Sequence, residues 1–291
     1  MLLLLAASLI WAFSFGLIKE GLAGLDPTAV AAARLAVSIA VFAPFFRRRR
    51  ARAPQALRLA AIGAVQFGAT YVLYLRAYAH LRAYEVALFT ITTPIFVALL
   101  DAAAERRWRP RYWGAAALSV AGAAVVLWRA LADAGVVGGL VLVQLSNLCF
   151  AAGQVAWRRE RALLPPGASD ASVFLLPLAG ALALSLGVSL LSTDWASFSP
   201  TPAQWARIVY LGAVASGAGF FLWNVGATRV NAGALAAANN AKIPLGIACA
   251  LLVFGERADI ARLLAGALLM GLGVGMAGWR PEPRPGGPEA P

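Results

Sequence analysis

The residues best suited to chemistry are Asn239-Asn240-Ala241-Lys242-Ile243-Pro244. They sit inside an apolar run from about Ala232 to Phe254 that is long enough to cross a bilayer. Lys242 is one of two lysines in the chain and falls near the middle of that run. Pro244 has no backbone N–H, so in a helix the carbonyl four residues back, on Asn240, loses its usual partner. A cation, two amides and a freed carbonyl at membrane depth are costly unless they face protein or a wet cavity. A protonated Lys242 there can hold a carboxylate or phosphate by charge-assisted hydrogen bonds, and a desolvated lysine can alternatively carry a proton. A lysine that only snorkels belongs nearer a helix end. Asn239, Lys242 and Gly246 share a face, which makes this stretch half of a binding site.

Other stripes could complete it. Phe67, Tyr71, Tyr74 and Tyr78 lie on one helical face, spread over about 16 Å of axis rather than gathered in an interfacial belt. Ser216, Phe220 and Trp223, with Asn224 beside them, form a similar face later in the chain. Gln144, Asn147, Ala151 and Gln154 form an amide-bearing face, and Trp11 and Ser14 share a face on the first apolar run. Each stripe reads equally as cavity lining or as helix packing. Arg34 lies at membrane depth with gating, pairing and snorkelling all open to it. Arg76, Arg82 and Glu85 read as a surface ion pair, and Asp101 as a partner for nearby arginines.

Composition sets the elements that must carry these residues. Of 291 residues, 61% are hydrophobic and 13% charged, and the mean hydropathy is +0.74, against roughly 25% charged in a soluble domain. The chain is an integral membrane protein. Its apolar runs predict spans at roughly 2–19, 27–46, 57–78, 83–101, 110–128, 137–157, 172–191, 203–226, 232–254 and 260–279. Met1 leads straight into the first run, so no cleaved signal peptide is expected. The tail 281–291 is rich in proline and glycine and is expected to be disordered. Cys149 and Cys249 fall inside spans and should be free thiols.

The net charge of +12 is carried mostly by arginines in alternate loops. Arg47, Arg48, Arg49, Arg50, Arg52 and Arg58, then Arg106, Arg107, Arg109 and Arg111, then Arg158, Arg159 and Arg161 lie on one side, while the opposite loops offer little beyond Lys19 and Arg129. The positive-inside rule places the arginine-rich loops and both termini in the cytoplasm. The chain also repeats. A shift of 149 residues lays Gly63-Ala64-Val65, Gly68-Ala69 and Leu73 onto Gly212-Ala213-Val214, Gly217-Ala218 and Leu222, and a shift of 150 lays Pro94 onto Pro244. Halves of five spans, 1–130 and 131–280, then enter the membrane from opposite sides. The expected fold is all-α: ten transmembrane helices as two inverted five-helix repeats, with Pro94 and Pro244 as matched hinges near the midplane.

Thr93-Pro94-Ile-Phe-Val-Ala-Leu-Leu100 with Glu105-Arg106, Gly114 and Gly122, its second copy Ile243-Pro244 through Leu252 with Gly255-Glu256-Arg257, and Trp11-Ala-Phe-Ser14 with Lys19 resemble the drug/metabolite transporter superfamily, in particular its EamA-type ten-helix members. Trp223-Asn224-Val225-Gly226 is similar to YddG-type aromatic amino-acid exporters, while Lys242 is similar to a ninth-helix lysine of the sugar-phosphate and nucleotide-sugar branch. The resemblance implies a central cavity lined by helices one to four and six to nine, with five and ten peripheral.

One histidine, no carboxylate pair at metal-ligand spacing and no GxSxG argue against an enzyme. The absence of GxxxxGK[ST] argues against direct ATP hydrolysis, and a passive channel would more often show charged rings. The expectation is a secondary transporter, an exporter of amino acids or related carboxylates across a bacterial inner membrane by alternating access. Phosphorylated sugars, nucleotide sugars or organic cations are alternatives. Lys242 would hold the anionic group, Asn239, Asn240 and Thr93 would bond polar atoms, and Trp11, Ser14, Tyr71, Tyr74, Tyr78, Asn147, Gln154, Trp223 and Asn224 would complete the walls. No cofactor or metal is expected. The expected partners are a small-molecule substrate and membrane lipid, with no nucleic acid, for a monomer or homodimer.

Overall fold

In lipid the backbone of an apolar run must satisfy its own hydrogen bonds, which leaves helices as the form for these sequences. A computed structural model describes residues 1–47, 51–104, 110–128, 132–230 and 232–278. The expected positions at 48–50, 105–107, 109, 129 and the tail 281–291 lie outside the described residues.

Among the described residues, ten helical rods follow the predicted spans: α1 (Leu2–Gly21), α2 (Pro27–Phe42), α3 (Ala53–Ala77), α4 (Ala83–Ala104), α5 (Arg111–Val126), α6 (Ala134–Ala162), α7 (Asp170–Ser192), α8 (Pro202–Ala227), α9 (Ala232–Ala248, continuing to Val253) and α10 (Ile260–Gly278). Among the described residues, eight are long and apolar enough to cross a membrane, and the apolar part of α9, Ala238–Val253, is shorter. Cys149 and Cys249 are free.

Three rods widen into π-helix. In α3 the segment is Ala64–Ala69, in α8 Leu211–Ala218 and in α9 Cys249–Val253. The first two coincide under the 149-residue shift. In α4 a 3-10 turn, Thr90–Thr92, precedes Pro94, whereas α9 runs as regular helix through Pro244. The two prolines therefore occupy unlike local structure, and the matched irregularities fall on α3 and α8 instead.

Small residues let the rods approach. A Cβ on Gly63 would stand 1.9 Å from the Pro177 carbonyl oxygen, and one on Gly180 1.8 Å from that of Ala60, so α3 and α7 cross backbone to backbone. Helices α5 and α10 pack on each other and on α4 at the edge of the bundle. Polar clasps close the ends. At the arginine-rich end Arg58 pairs with Glu160 at 3.0 Å and Arg159 with Asp101 at 3.9 Å. At the other end Glu256 accepts from the N–H groups of Ala83 and Tyr84, capping α4. The expected ion pair among Arg76, Arg82 and Glu85 is replaced there. Glu85 caps the Arg82 backbone, Arg82 reaches the Arg257 carbonyl and Arg76 reaches Ser192, because unpaired backbone groups at helix ends compete for the same side chains.

Asp26 joins two rods at that end. Its carboxylate caps α2 through the N–H groups of Thr28 and Ala29 and accepts the Thr193 hydroxyl at 2.7 Å, at the end of α7. Partial burial opposes its ionisation, but the hydrogen bonds from Thr28, Ala29 and Thr193 outweigh it and hold the carboxyl below the ordinary aspartate value. A depressed native value contributes stability above the unfolded-state value that is lost as pH falls through the native one. Asp26→Ala should therefore lower stability by about 1 kcal/mol at neutral pH. In detergent melts, the gap from wild type should shrink below about pH 4. A gap that does not change with pH would contradict the assignment.

Candidate functional site

Several interior polar side chains converge on a chamber between the helices. Its walls come from α1, α2, α3, α4, α6, α8 and α9. None comes from α5 or α10, as the resemblance implied. Helix α7 supplies none either, which corrects the expectation for six to nine: α7 packs outside α2 and α3 as a brace.

Two cations reach the chamber. Lys242 is 7% exposed and Arg34 1%. Lys242 Nζ donates to Asn239 Oδ1 at 3.2 Å and lies 5.1 Å from the Trp11 ring centre. Arg34 stacks over Tyr71 at 4.5 Å, and its Nη2 donates to the Tyr71 hydroxyl at 2.9 Å. Its Nε and Nη1 are buried without a hydrogen-bond partner. Among the described residues, no Asp or Glu lines the chamber. The arginine is neither snorkelling nor ion-paired. Its presence at membrane depth was the available signal; its partner on another helix was not.

Sequence-derived candidates divide into two groups. Trp11, Ser14, Tyr71, Tyr74, Thr93, Asn147 and Lys242 line the chamber, joined by Thr70, Thr90 and the rings of Phe15, Phe150 and Phe220. The remaining candidates act on other protein groups. Asn239 stands behind Lys242, donating to the Thr90 carbonyl at 3.3 Å and to the Asn240 side chain at 3.2 Å. Trp223 Nε1 donates to Gln154 Oε1 at 2.8 Å, tying α8 to α6. Asn224 and Gln66 exchange amide hydrogen bonds at 2.8 and 3.2 Å, tying α8 to α3. These corrections share a cause. A buried amide or indole N–H needs a partner, and another helix supplies it wherever one is in reach.

The two clasps of α8 lie toward the arginine-rich end and shut the chamber there, with Phe67 stacked on Phe220 at 4.2 Å beneath it. Tyr78 leaves the stripe: its hydroxyl bonds that of Tyr74 at 2.6 Å, and it lines a second hollow at the opposite end. Lys19 also lines that hollow, donating to the carbonyls of Tyr78 and Leu81 at 2.6 and 3.0 Å. Ile18 lines both spaces, so the chamber neighbours this vestibule. Pro244 is exposed on the outside of α9.

The π segment of α8 positions several of these groups. Its carbonyls accept the Trp11 indole N–H at 2.9 Å on Ala215, the Ser38 hydroxyl at 2.7 Å on Gly212 and the Ser216 hydroxyl at 2.9 Å on Leu211. A π-helix shifts carbonyls out of the regular ladder, and such bulges recur at functional sites.

The EamA-like transporter family model matches this chain twice, over residues 1–128 and 137–279. A biotin transporter of Salmonella typhimurium is 36% identical over 272 residues, covering 93% of this chain and 90% of that protein. The biotin transporter of Escherichia coli is 35% identical over 274 residues, again 93% and 90%. A solved crystal structure 22% identical in sequence superposes with a TM-score of 0.68 over 95% of this chain and 96% of its own, a likeness of fold.

Tyr71→Phe removes the one acceptor bonded to Arg34 among the described residues. Leaving that buried Nη2 unpaired should lower stability by about 1–3 kcal/mol, read as a lower melting temperature of the purified protein. A variant melting with wild type would show that Tyr71 does not hold the guanidinium.

Proposed function

Because the chain belongs to the EamA-like transporter family and is a multi-pass membrane transporter, we propose that it carries a small organic carboxylate of biotin's type through the chamber between Arg34 and Lys242. The observation that carries this reading is the sign of the chamber: two buried cations and, among the described residues, no lining carboxylate. Buried unpaired charge is expensive, so the substrate that enters most favourably is an anion. Biotin adds an apolar chain, for which Trp11, Phe15, Phe150 and Phe220 form a wall, and a cyclic urea, for which Asn147 and Thr93 are polar partners. The names carried by the relatives point the same way.

An amino acid suits the chamber less well, since its ammonium would join two cations with no counter-charge. An organic cation is repelled for the same reason. Phosphorylated sugars have no apolar part for the wall of Trp11, Phe15, Phe150 and Phe220.

Transport would proceed by alternating access, with halves 1–130 and 131–280 rocking as inverted repeats and the break beside Pro94 as a hinge. The loops rich in arginine and both termini would face the cytoplasm of a bacterial inner membrane. The chamber neighbours the opposite, external vestibule and is clasped shut toward the cytoplasm by Trp223–Gln154 and Gln66–Asn224. Direction, including the export expected from the sequence, would follow the driving gradient.

In proteoliposomes, labelled biotin should accumulate saturably and be competed by unlabelled biotin but not by phenylalanine or leucine. Lys242→Ala should weaken apparent affinity by about 10–100-fold, the loss of a charge-assisted contact. Flux that is linear in concentration and indifferent to Lys242 would sink the proposal.

A further inference from the structure

The two ends of the chamber differ in what they can offer. Ser216 donates its proton to the Leu211 carbonyl, so in its 2.8 Å contact with Tyr71 its oxygen accepts. The Tyr71 hydroxyl therefore points at Ser216, and its oxygen receives Arg34 Nη2. This one-way chain from α2 through α3 to α8 fixes the guanidinium and leaves Nε and Nη1 unpartnered. That end presents two guanidinium N–H donors without a protein acceptor, which complements a carboxylate, itself only an acceptor.

The Lys242 end is mixed. Lys242 donates, while Asn239 Oδ1 and the hydroxyl oxygens of Thr90 and Thr93 have lone pairs to accept. A urea needs both kinds of partner, since its carbonyl accepts and its two N–H groups donate. Between the ends runs an aromatic wall. Tyr71 lies 5.1 Å from Phe220 and Phe220 5.8 Å from Trp11, with Arg34 on the first ring and Lys242 beside the last.

We infer that the substrate lies lengthwise along this wall, its carboxylate on Arg34 and its hydrogen-bonding ring head on Lys242 and the Thr90 and Thr93 hydroxyls, with Asn239 holding Lys242 from behind, so that Arg34 sets selectivity for the acid. This rests on the substrate reading above. The reverse pose would turn urea N–H groups toward the N–H donors of the guanidinium and leave those donors without the carboxylate, which is unfavourable.

The test compares binding of biotin, its primary amide and nonanoate to purified wild type, Arg34→Gln, Arg34→Lys and Lys242→Met. Wild type should prefer biotin to the amide by roughly tenfold or more. Arg34→Gln should bring that ratio close to one by weakening biotin alone, and Arg34→Lys, which keeps the charge, should give an intermediate ratio. Lys242→Met should keep the acid–amide ratio while narrowing the preference for biotin over nonanoate. An exchange of these two patterns overturns the inference, as does an equal loss of acid and amide in Arg34→Gln. If biotin fails to bind wild type, the substrate reading falls by itself. Nonanoate against nonanamide then decides the role of Arg34: a ratio lost in Arg34→Gln upholds it as the acid-selecting residue, and an unchanged ratio removes it.

Discussion

Two buried basic side chains, with no carboxylate lining their chamber among the described residues, set the terms for the rest of this protein. An ion in a low-dielectric interior is expensive, and the surroundings of Arg34 and Lys242 offset that only in part. Each has one hydrogen bond from its charged head and one aromatic face beside it. Two nitrogens of the buried guanidinium have no protein partner, so an anion beside them would find hydrogen-bond donors already in place. The same fact argues for selectivity, since a cation or zwitterion gains nothing comparable there.

Holding such charges in place demands stiff surroundings, and the irregular helix segments provide them. The π turn of α8 aims backbone carbonyls at Trp11, Ser38 and Ser216, and Ser216 in turn fixes Tyr71 and Arg34. The corresponding π turn of α3 places Gln66 against Gly153, where a Cβ would stand 2.1 Å from the Gln66 Cβ. That close approach lets Gln66 reach Asn224. Two matched distortions thus serve different ends: one shapes the binding wall and the other locks the closed end. If the halves rock as proposed, such locks must be polar and reversible, as amide pairs are.

Much of this was legible before any coordinates. Run length and hydropathy place the rods to within a few residues, because a bilayer fixes helix length. The free thiols followed from the placement of both cysteines inside spans, the pairing of Asp101 from its place near the arginine-rich end, and the edge positions of α5 and α10 from the family resemblance. Lys242 was conspicuous because little else in its run is polar. What stayed hidden was partnership. A stripe such as Tyr71, Tyr74 and Tyr78 shows which face is polar but not whether a neighbour or a ligand satisfies it, and Tyr78, Gln154, Trp223 and Asn224 all proved to serve neighbours. The π turns were invisible because tertiary bonds stabilise them. Pro94 and Pro244 looked equivalent in sequence, yet only Pro94 adjoins a break in α-geometry.

The account stands on an anion seated between Arg34 and Lys242. Crystals grown with biotin as the probe would locate its sulfur by anomalous scattering and its carboxylate by density. The account predicts the sulfur against the Trp11–Phe220 wall and the carboxylate within hydrogen-bond reach of Arg34. Biotin bound outside the chamber, or inside it with its carboxylate touching neither cation, would contradict it.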